Sequence, residues 1–307
     1  MSCIIRTIQL TKVFNNKEVV SNVNMNVKQG EIYGFIGPNG AGKTTVMRMM
    51  TNLIKPTTGE IELFGQRLTA KSYLQLGRMG SIIENPVFYD KLSARENLDL
   101  HCKYMGYHNK KAMQNALELV NMQHIGDQPV REFSLGMKQR LGIARAIITK
   151  PEILILDEPI NGLDPVGMKE IRDLFRMLSK EYGITLLVSS HMLGEVEQMV
   201  DTIGVINHGQ LIQEVSMEEI KEKNKDYIEI TVRDSKAAAY VLSHHLHLSN
   251  FKVINEHVVR VYETHIPQNE LNTKLVMNNV ELESIYSKNN SLEDYFLSLL
   301  NGGQPHA

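Results

Sequence analysis

The sequence predicts an α/β fold built on a mostly parallel sheet, with antiparallel strands near its start and a small α+β appendage at its end. Three observations carry this expectation. The segments Glu31-Ile32-Tyr33-Gly34-Phe35-Ile36, Ile153-Leu154-Ile155-Leu156 and Ile184-Thr185-Leu186-Leu187-Val188 are almost continuously apolar, with no polar alternation. Strands of that kind are buried on both faces, which is the condition of a parallel sheet covered by helices. The first of them runs into a glycine-rich turn, residues 37–42, and then into a helical pattern over residues 43–53. Apolar stripes at helical spacing fill much of residues 109–149.

Each element follows from its own pattern. Ile4, Arg6, Ile8 and Leu10 alternate with Ile5, Thr7 and Gln9, a strand whose first set forms the more apolar face. Val23, Met25 and Val27 stand two apart in a second strand. Residues 84–150 read as a helical subdomain inserted into the sheet. Ser93-Ala94-Arg95-Glu96 has the form of a capping box, in which the Ser93 hydroxyl and the Glu96 carboxylate satisfy free amides of a first helical turn. Ala112, Met113, Ala116, Leu117 and Val120 form one stripe, and Met137, Leu141, Ala144, Ile147 and Ile148 another. The α/β domain is expected to span residues 1–217. The charged stretch 218–225 reads as a linker, and residues 226–301 as the α+β accessory domain. In the latter, Tyr227-Ile228-Glu229-Ile230-Thr231-Val232 and Val258-Val259-Arg260-Val261-Tyr262 read as strands. Ser291-Leu292-Glu293-Asp294 reads as the cap of a last helix carrying Tyr295, Phe296, Leu299 and Leu300, and 302–307 as a frayed tail.

Composition narrows the function. The 307 residues correspond to about two domains of ordinary size. A hydrophobic share of 42% fills a core, and 22% charged residues is ordinary for a soluble chain, so disorder is excluded. Lys and Arg number 33 against 35 Asp and Glu, and a chain with no basic surplus is not expected to bind nucleic acid. Two cysteines, Cys3 and Cys102, make neither a disulfide framework nor a four-cysteine metal site, and their scarcity suits a reducing cytosol. The first residues hold too short an apolar run for a secretory signal. No window reaches the ~18 apolar residues of a membrane span, so service to a membrane is expected to run through a partner.

Three motifs carry chemistry. Gly37-Pro38-Asn39-Gly40-Ala41-Gly42-Lys43-Thr44 fits the phosphate-loop pattern G-x-x-x-x-G-K-[ST], with a strand before it and a helix after it. Glycines let backbone amides curl around phosphate oxygens, and the helix N-terminus adds partial positive charge. Lys43 then reaches the β- and γ-phosphates, and Thr44 offers its hydroxyl to Mg²⁺. Ile153-Leu154-Ile155-Leu156-Asp157-Glu158 is a buried strand ending in two carboxylates. Burying charge is costly unless it is paired or metal-bound. There Asp157 can hold Mg²⁺ through water, and Glu158 can orient and polarise an attacking water. Phe133-Ser134-Leu135-Gly136-Met137-Lys138-Gln139-Arg140 places a small polar residue and a glycine before a basic helix, a second anion-seeking helix start. His244, His245 and His247 have no cysteine or carboxylate at ligand spacing, which disfavours a metal site.

In this order the three motifs resemble the ATP-binding subunit of ABC transporters, over residues 4 to about 217. The resemblance implies ATP and Mg²⁺ as cofactors and ATP hydrolysis as the activity. In such proteins the phosphate loop is the Walker A motif, which assigns ATP contacts to Gly37, Pro38, Asn39, Gly40, Ala41, Gly42, Lys43, Thr44 and Thr45. Phe14 falls where the family stacks an aromatic on adenine, with Val19 nearby. Asp157 ends Walker B, and Glu158 is the catalytic carboxylate. The signature motif, commonly LSGGQ, stands here as Phe133-Ser134-Leu135-Gly136-Met137, so that Ser134 and Gly136 keep the family's residue types. The D-loop matches Asn161-Gly162-Leu163-Asp164, and the switch histidine matches His191.

The Q-loop glutamine of the family is Glu84 here, in Ser81-Ile82-Ile83-Glu84-Asn85-Pro86. A glutamate at that place, this form of the signature, and the ending Leu292-Glu293-Asp294-Tyr295-Phe296-Leu297 are similar to exporters that confer resistance or immunity to bacitracin and lantibiotics. Glu84 would either reach Mg²⁺ through water or form an exposed acid at a partner surface. The resemblance also implies a membrane-spanning permease as partner, a place on the cytoplasmic face of the membrane, and a second ATP-binding subunit, identical or paralogous. Two copies would pair head to tail, each ATP lying between the phosphate loop of one and Ser134 and Gly136 of the other. The alternatives are a soluble ABC ATPase of DNA repair or translation and an ABC exporter of another hydrophobic substrate. A phosphate-loop kinase would lack the Ser134 segment and the Glu158 and His191 pair.

Overall fold

The computed structural model describes residues 2–107, 109–223, 227–263, 266–288 and 295–296. The chain divides into two compact units, residues 1–217 and 218–307. The first unit runs β1 (Cys3–Phe14), β2 (Lys17–Lys28), β3 (Ile32–Ile36), α1 (Lys43–Met50), β4 (Thr58–Leu63), β5 (Gln66–Arg67), α2 (Tyr73–Leu76) and β6 (Met79–Ile82). It continues with α3 (Ala94–Tyr104), α4 (Lys110–Leu119), α5 (Leu135–Ile147), β7 (Ile153–Leu156), α6 (Pro165–Lys180), β8 (Thr185–Ser190), α7 (Leu193–Glu197), β9 (Thr202–Asn207) and β10 (Gln210–Ser216).

The main sheet has the order β10-β9-β3-β8-β7-β6. Every pairing in it is parallel except that of β10 with β9. β3, β7 and β8 are buried at every residue, which is why their sequences show no alternation. A second, antiparallel sheet has the order β2-β1-β4-β5. Its inward residues, among them Ile5, Leu10, Val23, Met25 and Leu63, pack with Phe35, Met47 and Met50 into one core. β3, β6, β7 and β8 run the same way and so end on the same side, where an α/β sheet places its site.

β1 departs from the alternation expected of it. Arg6 is exposed, while Ile5 and Thr7 are buried on the opposite side. Beyond Gln9, whose φ of 49° lies in the left-handed region, the buried side passes to Leu10. The pairing with β2 shifts register between Thr7 and Leu10, and a one-residue slip turns every later side chain over. α1 ends at Met50 rather than at residue 53, since Asn52 turns to φ 59°. The capping box is formed as expected: Glu96 N–H donates to Ser93 Oγ at 3.3 Å, and Ser93 N–H to Glu96 Oε2 at 2.7 Å.

The stretch expected as a linker begins with a helix, α8 (Met217–Lys223). Met217 and Ile220, three apart, are both buried, and Glu218 and Glu219 occupy its first turn, where acids are favoured. A charge run therefore concealed an amphipathic turn. The second unit follows with β11 (Tyr227–Val232), α9 (Ser235–His244), β12 (Phe251–Val253), β13 (Val258–Val261), α10 (Gln268–Met277) and β14 (Leu282–Lys288). Its sheet is antiparallel with order β12-β13-β11-β14, the split β-α-β-β-α-β arrangement. Ile228, Ile230 and Val232 of β11 and Val259 and Val261 of β13 bury against Val241, Leu242, Leu271 and Leu275 of the two helices. Tyr295 and Phe296 are buried, whereas the expected cap at 291–294, Leu299, Leu300 and the tail 302–307 lie outside the described residues.

Candidate active site

The turn between β3 and α1 can be made only by its glycines. A Cβ on Gly37 would stand 2.2 Å from Ile206 O. Gly42 adopts φ 109°, and a Cβ there would lie 3.2 Å from Val19 O, which places Val19 beside the loop. Pro38, Asn39 and Gly40 are exposed at the loop tip, Ala41 is buried, and Thr45 is half-buried in the first turn of α1. The buried Lys43 side chain folds back over the loop, donating from Nζ to Gly37 O at 2.6 Å and Pro38 O at 3.2 Å. Amides of the first helical turn have no partner within a helix, so the loop and the start of α1 together present N–H donors and one ammonium. That is a cradle for an anion with several oxygens.

The carboxylates of β7 meet this cradle because the strands end side by side. Thr44 Oγ1 donates to Asp157 Oδ2 at 2.7 Å, and Ser189 Oγ donates to Asp157 Oδ1 at 2.6 Å. Asp157 is only 3% exposed, so these hydroxyls are what make its burial tolerable. Glu158 has φ 49°, an unfavourable backbone for a non-glycine residue. Its N–H donates to Ser189 Oγ at 2.8 Å. Its Oε1 lies 3.5 Å from Lys43 Nζ, and its Oε2 lies 2.8 Å from His191 Nδ1. Lys43, Glu158 and His191 thus form one continuous chain of polar contacts.

Ser189, to which the sequence motifs assign no role, joins Asp157 to the Glu158 backbone. The available signal was a hydroxyl directly after the apolar run ending at Val188. Ser189→Ala would take one hydroxyl partner from a buried carboxylate oxygen and from a half-buried amide, at a cost of about 1–3 kcal/mol of stability. Urea unfolding of the variant beside the wild type measures this, and an unchanged midpoint would contradict it.

Among the described residues, the other expected site residues make no hydrogen bond or ion pair with residues 37–45. Ser134 caps α5, its Oγ accepting from Met137 N–H at 3.3 Å. A Cβ on Gly136 would lie 3.4 Å from Leu163, and one on Gly162 would lie 2.6 Å from Leu135. The start of α5 therefore packs on the 161–164 turn, and no hydrogen bond or ion pair joins it to the 37–45 segment among the described residues. Glu84 is exposed and pairs with Arg48, Oε1 to Nη2, at 2.5 Å. Phe14 is exposed, with Lys12 Nζ 4.8 Å from its ring centre. In α9, Tyr240 packs against His244, the ring centres 4.4 Å apart and the planes tilted by 37°. Among the described residues no group of three or more His, Cys, Asp or Glu could hold a metal ion. Nor is any helix among them long and apolar enough to cross a membrane.

The ABC transporter family model matches residues 20–161. An uncharacterized ABC transporter ATP-binding protein of Bacillus subtilis, YcbN, is 58% identical over 302 residues, covering 98% of both chains. The bacitracin transport ATP-binding protein BcrA of Bacillus licheniformis is 47% identical over 303 residues, 99% of both chains. Among solved structures, the fold is similar to a dimeric, post-hydrolysis ATP-binding cassette bound to ADP and Pi. That likeness has a TM-score of 0.64 at 25% identity and covers 70% of this chain and 99% of the other.

Proposed function

The chain belongs to the ABC transporter ATP-binding family, and on that footing we propose that it drives export of a peptide antibiotic, such as bacitracin or a lantibiotic, through a separate membrane permease. One observation carries the substrate class. The likeness to the bacitracin transport subunit runs the full length of both chains, through the second unit as well as the ATP-binding one.

The site supports the chemistry residue by residue. The 37–45 segment cradles the triphosphate of ATP, with Lys43 as the ammonium among its oxygens and Phe14 and Val19 beside the base. Thr44 and Asp157 bring a hydroxyl and a carboxylate oxygen to 2.7 Å from each other, oxygen donors of the kind a hard divalent cation accepts. They would hold Mg²⁺, which supplies charge stabilisation at the phosphates. Glu158 orients and polarises the attacking water, while His191 holds the far oxygen of that carboxylate and contacts the γ-phosphate.

Ser134 and Gly136 make no hydrogen bond or ion pair with their own chain's cradle among the described residues, which supports their serving a second ATP-binding subunit related by a two-fold axis. The γ-phosphate contributes charge to both faces and favours the closed pair through differential binding; hydrolysis withdraws that contact. The permease docks on the surface of residues 84–89, placing the chain on the cytoplasmic face of the membrane. Val87 and Tyr89 are exposed there at 79% and 55%, and Arg145 braces the segment by donating to Val87 O at 2.7 Å. Exposed apolar side chains on a braced segment support that reading.

Deleting the gene should sensitise cells to one class among bacitracin, lantibiotics and unrelated amphiphiles. The wild-type chain should restore resistance and the Glu158→Gln chain should not. Unaltered sensitivity to every peptide antibiotic would refute the substrate class.

A further inference from the structure

Glu84 is the acid that ATP hydrolysis as described above leaves without a task. β6 ends at Ile82, which pairs with Leu156 in the parallel sheet, and Asp157 N–H donates to Ile82 O at 2.8 Å. Glu84, two residues on, leaves the sheet beside Asp157 and Glu158. Three carboxylates therefore emerge from two adjacent strand ends, next to a loop built to receive a polyanion. Each has its own partners. Asp157 takes two hydroxyls, Glu158 takes Lys43 and His191, and Glu84 takes Arg48. Arg48 lies on α1 four residues beyond Thr44, hence one turn along the same helix face that meets Asp157. Glu84 holds φ 62°, so the carboxylate reaches Arg48 from a left-handed backbone.

We propose that Arg48 is a positioning residue for nucleotide binding. Its guanidinium neutralises Glu84, so that this carboxylate does not repel the triphosphate in the neighbouring loop. The inference rests on the 37–45 segment being the ATP site. A neutral side chain at position 84 would need no counter-ion, whereas a glutamate adds a negative charge to a site whose ligand is itself strongly negative. Unscreened repulsion between charges at a partly wet surface changes affinity by about an order of magnitude or more. The pair is open to water, at 40% for Arg48 and 59% for Glu84, and such pairs contribute little to folding. Its effect therefore falls on the ligand rather than on the fold.

The test is a double-mutant cycle on the full-length chain, read by titration with trinitrophenyl-ATP, by ATPase KM and kcat, and by thermal melting. Arg48→Met should weaken nucleotide binding about tenfold at low salt, raise KM more than it lowers kcat, and leave the Tm almost unchanged. The loss should shrink at about 0.5 M salt, where surface charges are screened. Glu84→Gln should bind at least as well as wild type. The double variant Arg48→Met/Glu84→Gln should return to within about threefold of Glu84→Gln alone, the signature of coupled sites. An equal penalty for Arg48→Met in both backgrounds, no penalty in either, or a large Tm loss carried into the double variant would overturn the inference. Failure of the wild-type chain to bind the probe would instead sink the ATP-site reading on which it rests.

Discussion

Glu158→Gln is expected to bind ATP with near wild-type affinity, to lose hydrolysis by at least about a hundredfold, and to accumulate as an ATP-bound dimer. The substitution keeps the shape of the side chain and removes its charge. The carboxylate lies between Lys43 Nζ at 3.5 Å and His191 Nδ1 at 2.8 Å, and the amide can take up both directions. Binding is thereby spared. The amide is a far weaker proton acceptor, so the water loses its orienting base, a contribution worth about 10²–10⁴-fold in rate. With the γ-phosphate retained, the contact that favours the closed pair is not withdrawn. Gel filtration with and without ATP, beside a phosphate-release assay, measures both consequences. Near wild-type turnover would remove Glu158 from the mechanism, and an ATP-loaded variant that stays monomeric would remove self-pairing and leave a paralogous partner as the second subunit.

Lys43→Ala should abolish measurable nucleotide binding. The ammonium is 6% exposed and anchored by Gly37 O and Pro38 O, so it is held inside the loop rather than recruited from solvent. Removing it takes away charge-assisted hydrogen bonds of about 1.5–3 kcal/mol each. It also leaves Glu158 with no cation nearby and facing the ligand. Together these exceed about a hundredfold in affinity. Equilibrium titration with a fluorescent nucleotide tests it, and affinity within about tenfold of wild type would contradict the loop's role.

Much of the fold could be read from three apolar runs, because strands covered on both faces leave no other pattern. The loop was legible because glycine spacing and a following lysine have few other uses. What escaped was tertiary. The bulge at Gln9 breaks the assumption of unbroken alternation on which the reading of β1 rested. The helix at Met217–Lys223 hides two buried apolar residues in a run of charges. Ser189 carries no periodic signal at all; its importance comes from Asp157 arriving on the next strand. Arg48 and Glu84 are 36 positions apart, and nothing local announces their pairing.

The backbone at Glu158 has a wider consequence. A glutamate there adopts a conformation that glycine accepts freely and asparagine tolerates better. Replacement by either residue would relax the turn, yet only glutamate supplies the carboxylate between Lys43 and His191. On the role proposed for Glu158, robustness and turnover pull in opposite directions at this one position.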